Sequence, residues 1–544
     1  MKKIFTLLVG LLAIGVTCTY AQAEPAHQGG MPVKPANPLL YATDIIIDDN
    51  AAQDQTGANL SIAFNGWAYE VHKVIQGTSA GYNIFKSEDD GETWSYLNGN
   101  VFDGYSNVAV DLVVCGSSTA DLTLFQAGIA YFPSSSTWVV YVDKYNATTG
   151  AFIGEVFYES SAYQIYDVKI VSDYKFPSYG ASPYSLGLLF SRYSPSTDSL
   201  IFISSPDAGT NWNNRKTVAV TGMYMNQISL AIGTCALWFN GRYMAAWEQK
   251  NFGARTGQVW VSNSNPYFYS DWLPPTRLDD LAGSSENLTK NPVVSCQHNL
   301  WDNDASNFTS IVLFDRDYAA NGLDYDVIGM YNKTSAGTSP GPWTRLDISN
   351  TFDNDFEADI TFDPSYNNFL VTWCDSTTQM LPYVVQYQDL ATPSSWIWIN
   401  SGYNQFANLV NPFPKVEINP VYTQVGHVWI RDRPGGFGMA TWDAEYSTVG
   451  IPPSGQDAVT LDLNVYPNPC STKMTIGFNL SAAAHVNITL VDTYGQVVSV
   501  ITDKDFAAGK QQVAVDVSGL SGGCYYYKIN TGIQAACGKI IVAH

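Results

Sequence analysis

The sequence predicts an all-β protein. Short apolar runs alternate with clusters of Gly, Asn, Ser and Pro, and long amphipathic helix patterns are absent. Aromatic residues make up 14% of the chain, with 34 Tyr and 15 Trp, a composition that half-buried sheets accept well. With 544 residues the chain is too long for one ordinary core. We therefore expect two or more folded units, each built from strands.

The N-terminus has the features of a secretory signal peptide. The basic pair Lys2 and Lys3 precedes a short apolar run, and Ala21 and Ala23 supply the small residues that usually precede cleavage. The apolar run is too short for a transmembrane anchor, and no later stretch is long and apolar enough to span a membrane. We predict that residues 1–23 are a cleaved leader and that the mature protein is exported.

The charge of the chain disfavours some partners. The formal net charge is −22, and residues 24–457 hold 44 acidic against 20 basic side chains. Such a surface repels nucleic acid and anionic membranes but tolerates cations and neutral glycans. Seven widely spaced Cys follow the leader and form no CxxC pair, so we expect no thiolate metal site and no cofactor. A structural cation such as Ca²⁺, and one or two disulfides, stay open.

A recurring strand pattern divides the middle of the chain. Seven apolar runs contain an aromatic residue closely followed by a polar one, at intervals of 56 to 67 residues. Each interval has room for four strands, and four-stranded units around an axis make a β-propeller. The seventh unit supplies only three strands, and the segment YATDIIID, which starts at residue 41, can supply the fourth and close the ring. After a disordered segment over 24–40, we predict a seven-bladed propeller over 41–446, with six or eight blades as competing counts.

The polar residue of each repeat is a candidate ligand-binding position. In a propeller the second strand of each blade ends on the face where ligands usually bind, so these residues are expected around the mouth of a central channel. They are Glu70, Gln126, Arg192, Glu248, Asp315, Asp375 and Arg431. Carboxylates there could bind a cation or act as acid and base in glycoside cleavage, and the catalytic candidates are Glu248, Asp315 and Asp375. The alternative, which we favour, is that each residue begins a loop and bonds local backbone.

Two segments fit the pattern S-x-D-x-G-x-x-W. Their pattern residues are Ser87, Asp89, Gly91 and Trp94, and Ser205, Asp207, Gly209 and Trp212. In a hairpin turn such an Asp accepts backbone hydrogen bonds, the Gly adopts a positive φ and the Trp packs between sheets. The segments resemble the Asp-box, or BNR repeat, of sialidase-like propellers, with degenerate relatives ending at Trp272, Trp343 and Trp396. The resemblance implies a structural role and no particular chemistry.

Sialidase activity itself lacks support in the sequence. The resemblance would imply an N-terminal Arg-Ile-Pro motif, three arginines for the substrate carboxylate, a Tyr–Glu nucleophile pair and an Asp acid/base. No Arg-Ile-Pro occurs, and the Arg-Asp-Arg-Pro segment at 431–434 is near the wrong end of the predicted propeller. Few arginines fall at predicted strand ends, whereas carboxylate recognition favours bidentate arginine.

The C-terminal segment carries the most specific motif set. A linker over 447–457 precedes residues 458–544, where short strands separated by Asn, Gly and Pro turns predict a small β-sandwich. The motif residues are Tyr466, Pro467, Asn468, Pro469, Gly495, Gly523, Tyr525 and Lys539. This segment resembles the type A C-terminal sorting domain of the type IX secretion system of Bacteroidetes. The resemblance implies the type IX translocon as a partner and delivery to the outer-membrane surface or the extracellular space.

Three functions are compatible with this organisation. The leading hypothesis is a secreted or cell-surface propeller that binds a glycan or another extracellular ligand. The rival is a sialidase-like glycoside hydrolase or lyase that uses carboxylates at the propeller mouth. The third is an adhesin without a small ligand. A deep pocket with two carboxylates about 5–9 Å apart would favour the hydrolase, a flat mouth with exposed aromatics would favour binding, and a plugged channel would favour adhesion.

Overall fold

The computed structural model describes most of the chain from residue 45 onwards. The described residues are 45–89, 91, 93–102, 106–116, 121–173, 184–233, 242–251, 257–264, 271–281, 288–297, 308–317, 325–334, 340–348, 355–363, 368–375, 381–387, 396–401, 413–418, 425–432, 438–445, 464–468, 470–480, 483–491, 497–530 and 535–543. The predicted leader (1–23), the segment 24–40 and the linker 447–457 lie outside these residues. In this part of the chain the one helix is α1 (Leu278–Leu281), and strands form the rest of the regular structure, which confirms the predicted all-β class.

Four-stranded antiparallel sheets follow one another along the chain, after a short first strand, β1 (Ile45–Ile46). Sheet 1 comprises β2 (Asp54–Ile62), β3 (Ala68–Gln76), β4 (Ser79–Ser87) and β5 (Ser95–Phe102). Sheet 2 comprises β6 (Ser106–Cys115), β7 (Thr123–Phe132), β8 (Thr137–Asn146) and β9 (Phe152–Ser161). Sheet 3 comprises β10 (Ile165–Ser172), β11 (Leu186–Ser194), β12 (Thr197–Ser205) and β13 (Asn213–Thr221). Sheet 4 comprises β14 (Tyr224–Gly233), β15 (Arg242–Lys250), β16 (Gln258–Asn263) and β17 (Thr276–Arg277).

The next two sheets repeat the same order, and the last one is completed by the N-terminus. Sheet 5 comprises β18 (Leu288–Cys296), β19 (Phe308–Asp317), β20 (Tyr325–Thr334) and β21 (Pro340–Asp347). Sheet 6 comprises β22 (Asp355–Asp363), β23 (Asn368–Asp375), β24 (Leu381–Tyr387) and β25 (Trp396–Ser401). Sheet 7 comprises β26 (Lys415–Ile418), β27 (Val425–Asp432) and β28 (Gly438–Glu445), with β1 as its fourth strand. In that pairing Ile45 lies opposite Trp442, so the chain closes as the sequence predicts.

The first strands of the seven described sheets form a closed ring. Each of these inner strands (β2, β6, β10, β14, β18, β22 and β26) contacts the inner strand of the next sheet, and β26 contacts β2. This cyclic order around an axis is that of a β-propeller. Each sheet therefore buries both faces against its neighbours.

Burial on both faces explains the composition of the second strands. In β15, eight of nine residues are buried, and Trp247 is completely enclosed. Trp373 and Trp429 hold the corresponding places in sheets 6 and 7. Burying a large apolar side chain contributes about 1.5–3 kcal/mol, so these aromatic residues hold adjacent sheets together.

Both S-x-D-x-G-x-x-W segments connect the third strand of a sheet to the fourth. In sheet 3 the Ser205 hydroxyl donates to Asp207 Oδ1 at 2.9 Å and accepts from the Gly209 N–H at 2.9 Å. Asp207 Oδ1 also accepts from the Asn211 N–H at 2.7 Å, and Gly209 has a φ of +83°. This is the turn chemistry that the pattern predicts.

The turn of sheet 1 has the same bonds. Ser87 donates to Asp89 at 2.8 Å, the Gly91 N–H donates to Ser87 at 2.8 Å, and Gly91 has a φ of +88°. Trp94 donates from Nε1 to the Gly91 carbonyl at 3.1 Å. The three degenerate relatives lie just before or within the fourth strands of sheets 4, 5 and 6, at Trp272, Trp343 and Trp396.

Two further sheets follow at the C-terminus. One comprises β29 (Asn464–Tyr466), β30 (Lys473–Leu480) and β33 (Gly509–Asp516). The other comprises β31 (Ala484–Val491), β32 (Val497–Phe506), β34 (Gly523–Asn530) and β35 (Ala535–Val542). They share one apolar cluster, to which Ile476 contributes from the first sheet and Ile488 and Ile529 from the second.

Four cysteines are buried and have no disulfide partner among the described residues: Cys115, Cys296, Cys374 and Cys470. The disulfides that the sequence leaves open therefore do not join these four to one another. Among the described residues there is also no helix with the length and apolar character needed to cross a membrane.

Candidate functional site

A cavity of about 340 Å³ lies where the inner strands converge. All seven sheets contribute to its wall, through their inner strands and through Phe413 and Pro414, which directly precede β26. Each sheet contributes at least three residues to the wall. The cavity therefore occupies the axis of the ring, and we call it the axial cavity.

Charged side chains of both signs line the axial cavity. Five carboxyl groups and two ammonium groups belong to the wall: Asp111, Asp167, Glu357, Asp359, Glu417, Lys169 and Lys415. Amide and hydroxyl side chains lie among them: Asn59, Ser61, Gln227, Ser229 and Asn291. The wall can donate and accept hydrogen bonds, and an excess of acids gives it a negative bias.

The seven strand-end residues predicted from the sequence do not form this wall. Glu70, Gln126, Glu248 and Asp315 are at most 1% exposed, and they lie on second strands, one layer behind the inner strands. The side chains of Asp375 and Arg431 lie outside the described residues. The prediction of a ring of second-strand side chains around the mouth is therefore corrected for the described members, because the inner strands occupy the axis.

Only some of the predicted residues occupy equivalent positions in their sheets. Glu248 and Asp315 are equivalent, since each directly follows a buried aromatic residue and pairs with the inner-strand residue just before a register shift. Arg192 lies one residue further from the buried aromatic residue of its strand. Glu70 and Gln126 instead lie near the start of β3 and β7, at the opposite end of their strands. The aromatic–polar pattern occurs at both ends of these strands, so the spacing could not separate the two positions.

The register shifts are β-bulges, and they shape one rim of the axial cavity. They occur in the inner strands of sheets 1 to 6. In sheets 1, 4, 5 and 6 the bulge contains a residue with positive φ: Gly57 (+64°), Gln227 (+47°), Asn291 (+52°) and Glu357 (+56°). In sheet 7, Phe413 (+40°) also has a positive φ and lies two residues before the start of β26. A left-handed non-glycine residue costs about 1–3 kcal/mol and is found most often at functional sites.

A hydrogen-bonded chain connects these bulges across four sheets. Gln227 accepts from the Asn291 N–H at 3.0 Å and donates its amide to Asn291 Oδ1. Asn291 Nδ2 donates to Asp315 Oδ2 at 2.6 Å. Asp315 Oδ1 accepts from the Glu357 N–H at 3.0 Å, and Glu357 Oε2 accepts from the Phe413 N–H at 3.0 Å. We call these five residues the rim chain.

The two carboxyl groups of the rim chain have raised pKa values. Burial raises the pKa of Asp315 to about 7, although the ammonium group of Lys290 and the hydrogen bonds from Glu357 and Asn291 act in the opposite direction. Burial also raises the pKa of Glu357, against the hydrogen bond from Phe413 and the charge of Lys290. Near neutral pH, Asp315 is therefore divided between its acidic and basic forms, which is the range that proton transfer requires.

A second charged group lies deeper along the inner strands. Burial, together with the carboxylates of Asp359 and Asp111, raises the pKa of Glu417 to about 8, against the backbone hydrogen bond from Ile418. Burial lowers the pKa of Lys169, but the carboxylates of Asp167 and Asp111 outweigh this effect and raise it above its ordinary value. A positive charge thus lies among acids in the interior of the axial cavity.

Several wall residues also bind adjacent sheets together. Asp111 Oδ2 accepts from the Ile170 N–H at 2.9 Å, and Asp167 Oδ2 accepts from the Ile228 N–H at 3.0 Å. Ser229 and Asp359 make the equivalent bonds to the following sheets. These bonds satisfy inner-strand amides that would otherwise face the cavity, so part of the polar wall has a structural role.

Three predicted candidates have charged side-chain partners. Glu248 forms an ion pair with Lys250 at 3.0 Å, and Arg192 forms one with Glu159 of sheet 2 at 3.2 Å. Glu70 accepts from the imidazole of His72 at 3.0 Å. The expectation that such residues begin loops and bond local backbone stays a prediction.

The sequence analysis missed the residues that line the axial cavity. Asp111, Asp167, Glu357, Asp359 and Glu417 each lie between two apolar residues of an inner strand, a pattern that could have singled them out. Within the part of the chain that the structure describes, no group of three or more His, Cys, Asp or Glu side chains is arranged to hold a metal ion. A structural cation remains an expectation of the sequence.

The C-terminal motif residues are partly described. Asn468 Oδ1 accepts from the Ile541 N–H at 2.8 Å, and the Cys470 N–H donates to the Ile541 carbonyl at 2.9 Å. Tyr466 accepts from Gln512 at 3.3 Å, and Tyr525 donates to the Ser521 carbonyl at 3.0 Å. These contacts hold the start of the motif against the last strand, β35. Gly523 begins β34 and Lys539 lies within β35, whereas Pro469 and Gly495 lie outside the described residues.

Three solved structures resemble this chain at low identity. The GH93 α-L-arabinofuranosidase of Fusarium graminearum in complex with arabinobiose is 11% identical, with 74% of this chain and 98% of that chain covered and a TM-score of 0.42. A protein of unknown function from Dyadobacter fermentans is 9% identical, with 74% and 97% covered and a TM-score of 0.40. The polysaccharide lyase Uly1 is 10% identical, with 75% and 93% covered and a TM-score of 0.39. No inference about chemistry is based on these likenesses.

Sequence comparison identifies the C-terminal segment. No curated protein matches the chain. Residues 464–543 match the family model of the secretion system C-terminal sorting domain, which confirms the predicted address and its handling by type IX secretion. The protein thus carries a sorting domain that directs it to the cell surface or the extracellular space.

Proposed function

We propose that the protein is an exported binding protein whose axial cavity holds a small polar extracellular ligand, with a glycan as the leading class. In this proposal the seven sheets are the seven blades of one propeller. The two C-terminal sheets form the β-sandwich that the translocon recognises. The S-x-D-x-G-x-x-W turns are the Asp-boxes of sheets 1 and 3.

The composition of the axial wall carries the proposal. A glycan presents hydroxyl groups that both donate and accept, and the wall offers carboxylates, amides, hydroxyls and two ammonium groups within one cavity of about 340 Å³. Wall carboxyl groups with raised pKa values, Glu357 and Glu417, can also donate when protonated. The left-handed residues of the rim chain are consistent with a rim held in a fixed conformation for a ligand.

A glycan array with the full mature chain tests this proposal. The variants Lys169→Met and Glu417→Gln change wall side chains, and Lys510→Met changes an exposed lysine of the C-terminal region as a matched control. We expect the two wall variants to lose the signals that the wild type gives and the control to retain them. Signals that persist in both wall variants would place binding elsewhere on the molecule.

A glycoside hydrolase or lyase is the second candidate, and the rim chain is the observation that favours it. Glu357 faces the axial cavity and could contact a substrate, and Asp315 lies behind it with a pKa near 7. Glu357 would be the catalytic acid or base, and Asp315 would position it and tune its charge. The predicted candidates Glu248 and Asp375 remain alternatives.

Product release separates the two candidates. Polysaccharides that bind in the array are incubated with the protein, and new reducing ends or unsaturated ends are measured. Hydrolysis or elimination that disappears in Glu357→Gln would support the enzyme, and binding without either product would support the binding protein. An adhesin without a small ligand is less favoured, because the described inner strands leave an open cavity on the axis.

A further inference from the structure

A second cavity, of about 300 Å³, lies on sheet 1 away from the axis. Its wall comes from the segment between β1 and β2 and from the two outer strands, β4 and β5. Planar polar and aromatic side chains form most of it: Asp48, Gln53, Asn83, Phe85, Tyr96 and Asn100. We call it the lateral pocket. None of these residues lines the axial cavity.

A buried ion-paired group lies behind the lateral pocket. His72, which is completely buried, contacts Asp48 Oδ2 at 3.2 Å through Nε2 and both oxygens of Glu70 at 3.0 Å through Nδ1. The Glu70 carboxylate and the hydrogen bonds to Asp48 and Glu70 outweigh burial, which alone would lower the pKa of His72, and raise that pKa to about 9. At neutral pH the imidazole is therefore a cation between two carboxyl groups.

This arrangement fixes the position and charge of Asp48 at the pocket. Burial tends to raise the pKa of Asp48, but the hydrogen bond from His72 and those from Asn50 and Asn83 outweigh it and lower the pKa below its ordinary value. Oδ1 accepts from the Asn50 N–H at 2.9 Å, and Oδ2 accepts from Asn83 at 3.0 Å. Asp48 as a whole residue is only 5% exposed, yet it belongs to the pocket wall. It retains acceptor capacity there, because two carboxylate oxygens offer about four lone-pair sites.

The aromatic side of the pocket is open to solvent. Tyr96 is 58% exposed and lies edge to face with Phe85, with ring centroids 5.7 Å apart. Gly99 leaves room for the β4 backbone and for two pocket side chains, since a Cβ there would lie 2.6 Å from the Tyr82 carbonyl oxygen, 2.8 Å from Asn83 Oδ1 and 2.9 Å from Tyr96 Oη. A larger residue at this position would displace the pocket side chains and would also strain the pairing of β4 with β5.

From this geometry we propose that the lateral pocket is a second binding site, which takes a neutral saccharide. The Tyr96 ring packs against the apolar face of the sugar, and Asp48, Asn83 and Asn100 exchange hydrogen bonds with its hydroxyl groups. His72 is a positioning residue that does not touch the ligand. Because the Asp48 carboxylate belongs to the pocket wall, the pocket disfavours acidic sugars.

Calorimetric titration of the full mature chain with methyl glycosides of glucose, galactose, mannose, xylose and arabinose tests the proposal. We expect at least one of them to bind. Tyr96→Ala and Asn100→Ala, at exposed positions of β5, should weaken that binding by about tenfold each, which corresponds to 1.4 kcal/mol. Tyr158→Ala is the matched control, because Tyr158 is 53% exposed on the outer strand of sheet 2, and it should leave the affinity unchanged.

Two further variants show whether a loss of binding comes from the lateral pocket, from the axial cavity or from misfolding. Gly99→Ala should abolish binding while the thermal unfolding midpoint of the protein shows whether the fold persists. Glu417→Gln, in the axial cavity, should leave binding to the lateral pocket intact. The proposal is overturned if none of the glycosides binds, if binding is unchanged in Tyr96→Ala and Asn100→Ala, or if it is lost only in Glu417→Gln.

Discussion

The Glu357 N–H donates to Asp315 Oδ1 at 3.0 Å across the boundary between sheets 5 and 6. The bond joins a left-handed residue of the cavity rim to a carboxyl group on the strand behind it. Through this contact, the protonation of a fully buried group is coupled to the conformation of a residue that faces the axial cavity.

Asp315 should make the stability of the protein depend on pH. Its folded-state pKa of about 7 lies above the ordinary value of 3.8, so the folded state binds more protons between about pH 4 and 7. The free energy of unfolding should therefore fall as pH rises through this window, by at most about 4 kcal/mol from this residue. Urea unfolding at four pH values should show a smaller decrease in Asp315→Asn.

The exposed carboxyl group of Asp49 supplies the control for this prediction. Asp49→Asn should retain the pH dependence of the wild type, because its side chain is exposed. The pKa values of Glu357 and Glu417 are also raised, so these groups change stability with pH in the same direction. Part of the decrease in stability with rising pH should therefore remain in Asp315→Asn. Identical slopes for Asp315→Asn and the wild type would contradict the assignment.

The two buried histidines among the described residues, His72 and His427, should respond to pH in opposite directions. His72 has a pKa of about 9, so its contribution to stability is complete below pH 6.5 and is lost as pH rises through about 9. Burial lowers the pKa of His427 to about 3, so His427 costs stability as pH falls below 6.5. His72→Gln leaves two carboxylates without their cation and should destabilise the protein by about 3–5 kcal/mol.

NMR titration of the histidine side chains tests this prediction directly. The imidazole of His72 should titrate above pH 8, and that of His427, whose Nε2 lies 2.8 Å from Thr372 Oγ1, should not titrate above pH 4. Exposed His485 provides a signal from the surface for comparison. Midpoints near 6.5 for both buried histidines would show that their surroundings differ from those described.

The turn glycine of sheet 3 should resist substitution. Gly209 has a φ of +83°, and a Cβ there would lie 3.1 Å from Phe125 and 3.3 Å from Val156. Gly209→Ala should lower the free energy of unfolding by about 1–2 kcal/mol, because an L-residue is strained in the left-handed region. Gly222→Ala is the control, since its Cβ would meet nothing within 4 Å. Equal stability of the two variants, measured by chemical unfolding, would refute the role given to this turn.

The C-terminal motif should need Asn468 for export. Its side chain accepts from the Ile541 N–H, so Asn468→Ala leaves this amide of the last strand without its partner and should cost about 1 kcal/mol. In a Bacteroidetes host with type IX secretion, we expect a smaller cell-surface fraction and more protein in the periplasm. Ser471→Ala, at an exposed neighbouring position, should be exported normally. A surface fraction equal to that of the wild type would show that the motif tolerates this loss.

Local patterns carried the correct predictions. The turns at Gly91 and Gly209 form where the S-x-D-x-G-x-x-W pattern predicts them. These features depend on a few adjacent residues, because turn chemistry and strand alternation act over short distances. The sorting domain was likewise predictable, since its motif residues occur in order within one short segment.

The sequence by itself determined the all-β class, the order of its repeated strands and the export address. Only the tertiary structure decided which residues line the axial cavity. A bulge adds one residue to a strand, and this shift of one residue moves every later side chain of that strand to the opposite face of the sheet. Glu70 and Asp315 share an aromatic–polar pattern, yet they lie at opposite ends of their strands. Glu357 lines the cavity at the bulge of its inner strand, and packing between sheets decides where that bulge falls, although the local pattern marks Glu357 as an acid between apolar residues.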